Sequence, residues 1–314
     1  MLIIGSHVSF GAKQLLQSVT EAVSYNADTF MFYTGAPQNT VRKDIDDTLT
    51  LQATVIMQEN KIDINKLDFI EVIDNNNVIC HAPYIVNPAT NDPEKREFAI
   101  NFLKQEISRC ASLGVKYLVL HPGSSVNITK EEGLDNIVTV LNSILDNQYD
   151  VTILLETMAG KGNERGITTD ELAYLINNVN DNTKLGVCID TCHLNDAGID
   201  LTSFDKYLDD FDQKIGIPRI KCVHVNDSKN PFNSHKDRHA NIGFGTIGFD
   251  TLSNIIYNPR LDNIPKILET PYIGDTDDAK EKKYPPYKYE IAMIRSKTFD
   301  NELLDKIRKA YNKN

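Results

Sequence analysis

The chain reads as a (β/α)8 TIM barrel, a single α/β fold, and three observations predict it. Eight short apolar runs recur along the 314 residues, rich in Val and Ile, and each is closed by polar residues. Runs that are apolar without alternation are strands covered on both faces. Segments with helical spacing lie between most of them, the order that builds a parallel sheet inside a shell of helices. Seven of the eight runs end on a histidine or a carboxylate, and in a barrel the C-terminal strand ends meet at one mouth. A doubly wound sheet is the main rival. To bind a nucleotide it would need a Gly-rich phosphate turn after its first strand, and GSHVSFGA is a poor match.

The elements follow in order. LIIGSH (2–7) is the first strand, and Leu15, Leu16, Val19 and Val23 give the next segment one apolar helical face. DTFMFYTG (28–35) and NVICHAP (77–83) are the second and third strands, with the Asn-rich patches 75–77 and 177–182 reading as loops. A helix starts with Pro93 at its first position, after Asp92, and stops at Gly114. KYLVLHPG (116–123) and VTILLET (151–157) are the fourth and fifth strands. Thr129 with Glu132, and Thr168 with Glu171, have capping-box spacing ahead of apolar-periodic stretches. LGVCIDTCH (185–193), IKCVHVND (220–227) and PKILET (265–270) complete the set. No linker, repeat or heptad pattern interrupts the chain, so residues 1–314 are expected to form one barrel domain.

Composition narrows the setting. With 41% hydrophobic and 25% charged residues the chain can bury a large core. No apolar run approaches the ~18 residues of a membrane span. The start MLIIGSHVSF lacks the basic region and long apolar core of a secretory signal. Five cysteines, an odd and modest number, fit a reducing cytoplasm better than a disulfide framework. No interface signal stands out, and a monomer is the default expectation. The formal charge of −11 argues against a nucleic-acid partner unless something reverses the charge locally.

The residues at the strand ends are His7, His81, His121, Glu156, Asp190, His224 and Glu269. One such histidine is usually a hydrogen-bonded boundary residue. Seven ionisable groups converging with few cations nearby would repel one another and face several kcal/mol of desolvation per ion, and bound metal ions relieve both. Imidazole with carboxylate suits Zn²⁺, with Mn²⁺ or Fe²⁺ as substitutes. Cys188 and Cys192 have no second CxxC-type pair, and Cys80, Cys188 and Cys222 stand inside strands, so all read as buried thiols. Asp190 and His193 are therefore assigned to metal without the neighbouring thiols. Beyond the seventh strand, Asp237 and His239 flank Arg238, and an extended loop would project both to one side as a ligand pair. His235 falls in a charged stretch and is expected to be exposed.

These residues carry a resemblance. GVCIDTCH (186–193), HVNDSK (224–229) with DRH (237–239), and LETMAG (155–160) form a highly specific signature. With GSHVSFG (5–11), ETPYIGD (269–275) and RSKTFD (295–300), the chain resembles the endonuclease IV family of apurinic/apyrimidinic endonucleases over nearly its whole length. TGAPQNT (34–40) and the Lys-rich loop before PPYKYE resemble the variant found in Gram-positive bacteria and some large DNA viruses.

The resemblance implies three zinc ions in the barrel mouth. The first would take His81, His121 and a bridging Glu156, the second Glu156, Asp190, His224 and Glu269, and the third His193, Asp237 and His239. It implies cleavage of the phosphodiester 5′ to abasic sites in double-stranded DNA, leaving a 3′-hydroxyl and a 5′-deoxyribose phosphate, and removal of groups blocking 3′ ends. Glu269 would accept or orient a proton beside Glu156, the third ion would help the 3′ oxygen depart, and His7 would stand just outside the ligand set. Three dications outweigh four ligand carboxylates, so the loaded site is positive despite the acidic chain. Tyr84 and Ile85 match family positions that wedge into the base stack, and extruding a nucleotide that has no base is cheap. Gln38 and Asn39 lie where the family's bacterial form often carries an inserting arginine, and Arg238 is expected at the DNA. The loop KEKKYPPYKY (280–289), lysines between tyrosines, reads either as a phosphate contact or as a solvated loop. A metal-dependent sugar isomerase or epimerase on the same barrel is the alternative, disfavoured by the additional His193, Asp237 and His239 group.

Overall fold

The computed structural model describes residues 1–62, 75–145 and 148–312. Eight parallel strands close into a barrel: β1 (Ile3–His7), β2 (Thr29–Phe32), β3 (Asn75–His81), β4 (Val115–Leu120), β5 (Thr152–Glu156), β6 (Leu185–Asp190), β7 (Ile220–His224) and β10 (Pro265–Leu268). They pair in chain order, and β10 returns to β1 with Ile3 beside Pro265 and Ser6 beside Leu268. A two-stranded antiparallel ribbon, β8 (Asp227–Ser228) with β9 (His239–Ala240), stands at the mouth after β7 and sets Ser228 opposite His239. All eight apolar runs are therefore strands of one barrel.

The inward side chains make a dry layer. Met31, Ile79, Val119, Leu154, Cys188, Cys222 and Ile267 come from seven strands, are fully buried, and pack on one another. The outward side chains join the helices in a larger core, as with Leu118 and Leu120 against Leu103 and Ile107. Packing this tight constrains β1. A Cβ on Gly5 would sit 1.8 Å from the Thr29 carbonyl oxygen of β2, so no other residue fits there.

Local signals set the helix ends. The helix Pro93–Ser112 is capped by Asp92, whose carboxylate accepts from the Glu94 and Lys95 amides. Thr129 and Glu132 form the reciprocal capping box, side chain to amide in both directions. Thr168 accepts from the Glu171 amide, but the Glu171 carboxylate turns back to the Gly166 and Ile167 amides.

The expectation of loops at the Asn-rich patches needs correction. Asn75 and Asn77 lie within β3, where Asn75 pairs with Val115 across a register shift. Ladder bonds to a neighbouring strand outweigh the weak strand propensity of Asn. At 177–182, Asn177 and Asn178 belong to the last turn of the helix Thr169–Asn178.

Candidate metal centre

The strand ends deliver their polar residues to the barrel mouth. Glu156 ends β5 at the centre. Its Oε2 lies 3.1 Å from both His81 Nε2 (end of β3) and His121 Nε2 (just past β4), and its Oε1 lies 3.1 Å from His224 Nδ1 (end of β7). His224 Nδ1 is also 3.1 Å from Glu269 Oε2, just past β10, and 3.9 Å from Asp190 Oδ2 at the end of β6. Asp190 caps the short helix Thr191–Asp196 by accepting from the His193 amide, which turns the His193 ring toward the ribbon. There His193 Nε2 is 3.1 Å and His239 Nε2 3.4 Å from Asp237 Oδ1. Besides two groups that include cysteine (Cys188 and Cys222 with His224, and Asp190 and Cys192 with His239), three groups of His and carboxylate alone have ligand atoms within 4.8 Å of one another: His81, His121 and Glu156; Glu156, Asp190, His224 and Glu269; and His193, Asp237 and His239. Glu156 belongs to two of these three.

The orientation of the rings tests whether metal ions fit. His81 Nδ1 bonds the Ala82 carbonyl at 2.7 Å, His193 Nδ1 the Thr157 carbonyl at 2.8 Å, and His239 Nδ1 the Glu269 carbonyl at 3.2 Å. Each carbonyl fixes its ring with Nδ1 protonated and the Nε2 lone pair turned inward, the arrangement in which histidines bind metal. His193 Nε2 and His239 Nε2 are buried without a hydrogen-bond partner. Their close carboxylate neighbour, Asp237, is out of line for such a bond, so ring and carboxylate both face a third point. The donor set suits Zn²⁺ or Mn²⁺.

The electrostatics agree. Burial raises the Glu156 carboxyl, and the surrounding imidazoles, His224 and His121 foremost, reverse that and hold it well below the usual range. Burial lowers the His193 and His224 rings, yet nearby acidic groups, Asp190 and Asp237 for the first and Cys188, Glu269 and Glu156 for the second, push both well up. In the protein alone, imidazole and carboxylate thus each stabilise the charged form of the other. The centre opens on one side only. Asp237, His121, His239 and Glu269 reach solvent, with 32%, 29%, 20% and 15% of their side chains exposed, while Asp190 and His224 are closed off.

Other expected residues fall around this core. His7 shares no ligand group. Its ring lies edge-on to Tyr33 at 4.8 Å, Tyr33 in turn lies 5.2 Å from His81, and burial pushes the His7 imidazole down to about 4. Tyr84 is 57% exposed and Gln38, Asn39 and Arg238 are exposed at the rim, whereas Ile85 packs partly on the core. His235 is exposed and bonds the Ala159 carbonyl. Asp237 corrects one expectation. Its φ of +59° is left-handed rather than extended, and its amide is held by Asp196 Oδ2 at 3.0 Å, so a turn, and not a strand-like loop, aims it at His193. Two of the three tyrosines of 280–289 present no platform. Tyr284 and Tyr287 are buried, Tyr284 stacks on Tyr311, and Lys283 pairs with Asp275 at 2.9 Å.

Sequence reading missed Asn226. Its Nδ2 donates to Asp190 Oδ2 at 2.7 Å, and its Oδ1 accepts from the Glu269 amide at 2.9 Å, so it ties two strand ends together. It also missed Phe232, an aromatic 54% exposed on the loop between β8 and β9. An Asn two residues beyond a ligand looks like any turn residue, so no sequence signal marks it. Cys188 and Cys222 meet beneath the centre, close to His224, because β6 and β7 place them in register.

A closed barrel with histidines and carboxylates gathered at its C-terminal mouth defines a metal-site TIM barrel, and residues 19–297 match the sequence model of the family described as xylose isomerase-like TIM barrel. Within that class the chain is 50% identical over 310 residues to the probable endonuclease 4 of Geobacillus kaustophilus, covering 98% of each chain. The crystal structure of endonuclease IV from Thermus thermophilus superposes with a TM-score of 0.75 at 27% identity, over 94% of this chain and 98% of that one. A D-tagatose 3-epimerase-like protein superposes with a TM-score of 0.65 at 19% identity, covering 96% and 98%, a likeness of fold alone. The chain belongs to the endonuclease IV family.

Proposed function

We propose that this protein is a DNA-repair hydrolase that cuts the phosphodiester 5′ to an abasic site in duplex DNA, leaving a 3′-hydroxyl and a 5′-deoxyribose phosphate, and that also clears blocked 3′ ends. It would act as a cytoplasmic monomer; no helix among the described residues is long and apolar enough to cross a membrane. The observation that carries the reading is the mouth itself, nine His and carboxylate side chains in three linked groups, with the Nε2 atoms of His193 and His239 buried there without a hydrogen-bond partner. His81, His121 and Glu156 would hold one divalent ion, Glu156, Asp190, His224 and Glu269 a second, and His193, Asp237 and His239 a third, zinc by donor type. Such ions, when bound, neutralise phosphate oxygens and lower the pKa of water.

The chain's own residues do the rest. Glu156 joins the two inner groups, so its ionised form sets their spacing. Glu269 is the carboxylate of its group that reaches solvent, and Asn226 fixes its backbone, so it can take a proton from an approaching water. His121, Asp237 and His239 line the open side where a phosphate arrives. Tyr84, Ile85, Gln38, Asn39, Arg238 and Phe232 stand on the surrounding loops, suited to hold backbone and fill the gap left by the missing base.

The test is a duplex carrying one tetrahydrofuran abasic analogue, incubated with zinc-loaded protein. A single cut on its 5′ side, with about three zincs per chain by metal analysis, is expected. Intact duplex together with interconversion of ketose epimers would replace this reading with the sugar epimerase.

A further inference from the structure

The loop after β2 is held by a buried charged clamp that serves neither the barrel nor the metal centre. Arg42 lies inside this loop with its side chain 1% exposed. Its Nη1 donates to the carbonyls of Val41 at 2.9 Å, Asn39 at 3.2 Å and Ala36 at 3.4 Å, so the loop winds around its own guanidinium. The guanidinium lies 4.9 Å over the Phe102 ring, and its other side faces Gly35, where a Cβ would meet it at 2.8 Å. Its Nε donates at 2.7 Å to Glu106 Oε1, which is fully buried. Glu106 Oε2 accepts from the Thr34 hydroxyl at 2.7 Å. Arg109, one turn further along the same helix, ties both ends of the loop: Nη2 to the Thr34 carbonyl at 2.8 Å and Nη1 to the Lys43 carbonyl at 2.7 Å.

Buried ion pairs give little net stability, because desolvation offsets the attraction. This clamp is not even complete, since Arg42 Nη2 is buried with no acceptor. What the arrangement does supply is a fixed backbone course from Thr34 to Lys43. That segment carries exposed residues at its middle, Gln38, Asn39 and Thr40, and starts beside Tyr33, which touches His81. Short loops without such ties pay an ordering cost on binding.

We propose that Arg42, Glu106 and Arg109 are positioning residues for substrate binding: they hold the 35–43 loop in its DNA-engaging shape before DNA arrives. The inference rests on the endonuclease reading given above. Nothing in the clamp touches a ligand of the candidate metal centre, so its effect falls on binding and not on the chemical step.

The experiment compares the zinc-loaded wild type with Glu106→Gln and with Arg42→Lys, which keeps the charge but not the fork. Steady-state cleavage of the abasic duplex is measured with metal content, and limited trypsin digestion after Arg42 and Lys43 is followed in Glu106→Gln. Expected are a roughly tenfold rise in KM from the ordering cost moved into the binding step, kcat within about twofold, unchanged zinc, and faster cleavage of the loop. A fall in kcat that tracks lost zinc or lost fold, with KM unchanged, overturns the proposal, and so does a loosened loop with unchanged KM. If wild type fails to cut the duplex, the endonuclease reading falls, and the clamp is then judged by trypsin alone: an equally protected loop in Glu106→Gln overturns it.

Discussion

Two of the buried charge clusters, the clamp and the barrel mouth, differ in what completes them. In the clamp, Arg42, Glu106 and Arg109 are bonded within the protein, Arg42 to Glu106, Glu106 and Arg109 to the Thr34 hydroxyl, and both arginines to backbone carbonyls, with only the Arg42 Nη2 group left over. At the barrel mouth the opposite holds. Backbone carbonyls fix the outer nitrogens of His81, His193 and His239, the inner nitrogens of His81 and His224 converge on Glu156, and those of His193 and His239 have no hydrogen-bond partner. A buried polar group left unpaired costs ~1–3 kcal/mol. A cluster in which several are unpaired and aimed at common points is a site built for something outside the chain. A cluster that pairs internally shapes the backbone instead.

Breaking the cluster at the barrel mouth gives the largest effect. Glu156→Gln removes the carboxylate shared by the His81–His121 group and the Asp190–His224–Glu269 group. The amide is isosteric, and the packed apolar layer of the barrel interior does not include Glu156, so the fold stays. Cleavage is expected to drop at least ~10³-fold, the equivalent of several kcal/mol of charge stabilisation, and metal analysis should show fewer than three ions. Full activity with full metal content in Glu156→Gln would mean that the mouth is only a polar boundary layer.

The contrast also explains what was legible in the sequence. Strand ends are visible as the last polar residue of an apolar run, so His81, His121, Glu156, Asp190, His224 and Glu269 could be placed from spacing and a barrel's geometry. Asp237 with His239 could be paired, but not by the right conformation, because a left-handed residue fixed by Asp196 has no signature in DRH. Glu106 and Arg109 were illegible. They sit in PEKREFAINFLKQEISRCAS, where charges look like a solvated helix face, and only Arg42 from a different segment reveals that they are inside. In the lysine–tyrosine loop the sequence does not show that Tyr284 and Tyr287 turn inward, against Tyr311 and the Thr270 carbonyl, while Lys280, Lys282 and Lys288 stay exposed.

Breaking the clamp outright sharpens the comparison at the next level. Glu106→Ala leaves two guanidiniums buried without their anion. Losing one partner of a buried pair costs ~3–5 kcal/mol, so the unfolding midpoint should fall well below that of Glu106→Gln, which still accepts a hydrogen bond. Zinc content per folded chain should stay at the wild-type value. A parallel loss of zinc would show that the two clusters are one coupled unit.

Glu290 tests the distinction at its smallest scale. It is a buried carboxyl supplied with donors from the protein alone: Asn241 Nδ2 at 3.1 Å, the Ile242 amide at 3.0 Å and the Thr270 hydroxyl. Burial raises its pKa from 4.5 to about 7 in spite of these donors, with Asp227 adding to the rise. A carboxyl whose folded pKa is raised favours the folded state below its unfolded pKa, and that contribution is lost as pH climbs through the folded value. Wild-type stability should therefore decline between pH 4.5 and about 7 relative to Glu290→Gln, by at most ~3 kcal/mol over the window. Denaturant melts of both proteins across that range measure the difference. A gap that does not change with pH would mean that Glu290 is ionised throughout and that its three donors complete it as fully as Arg42 completes Glu106.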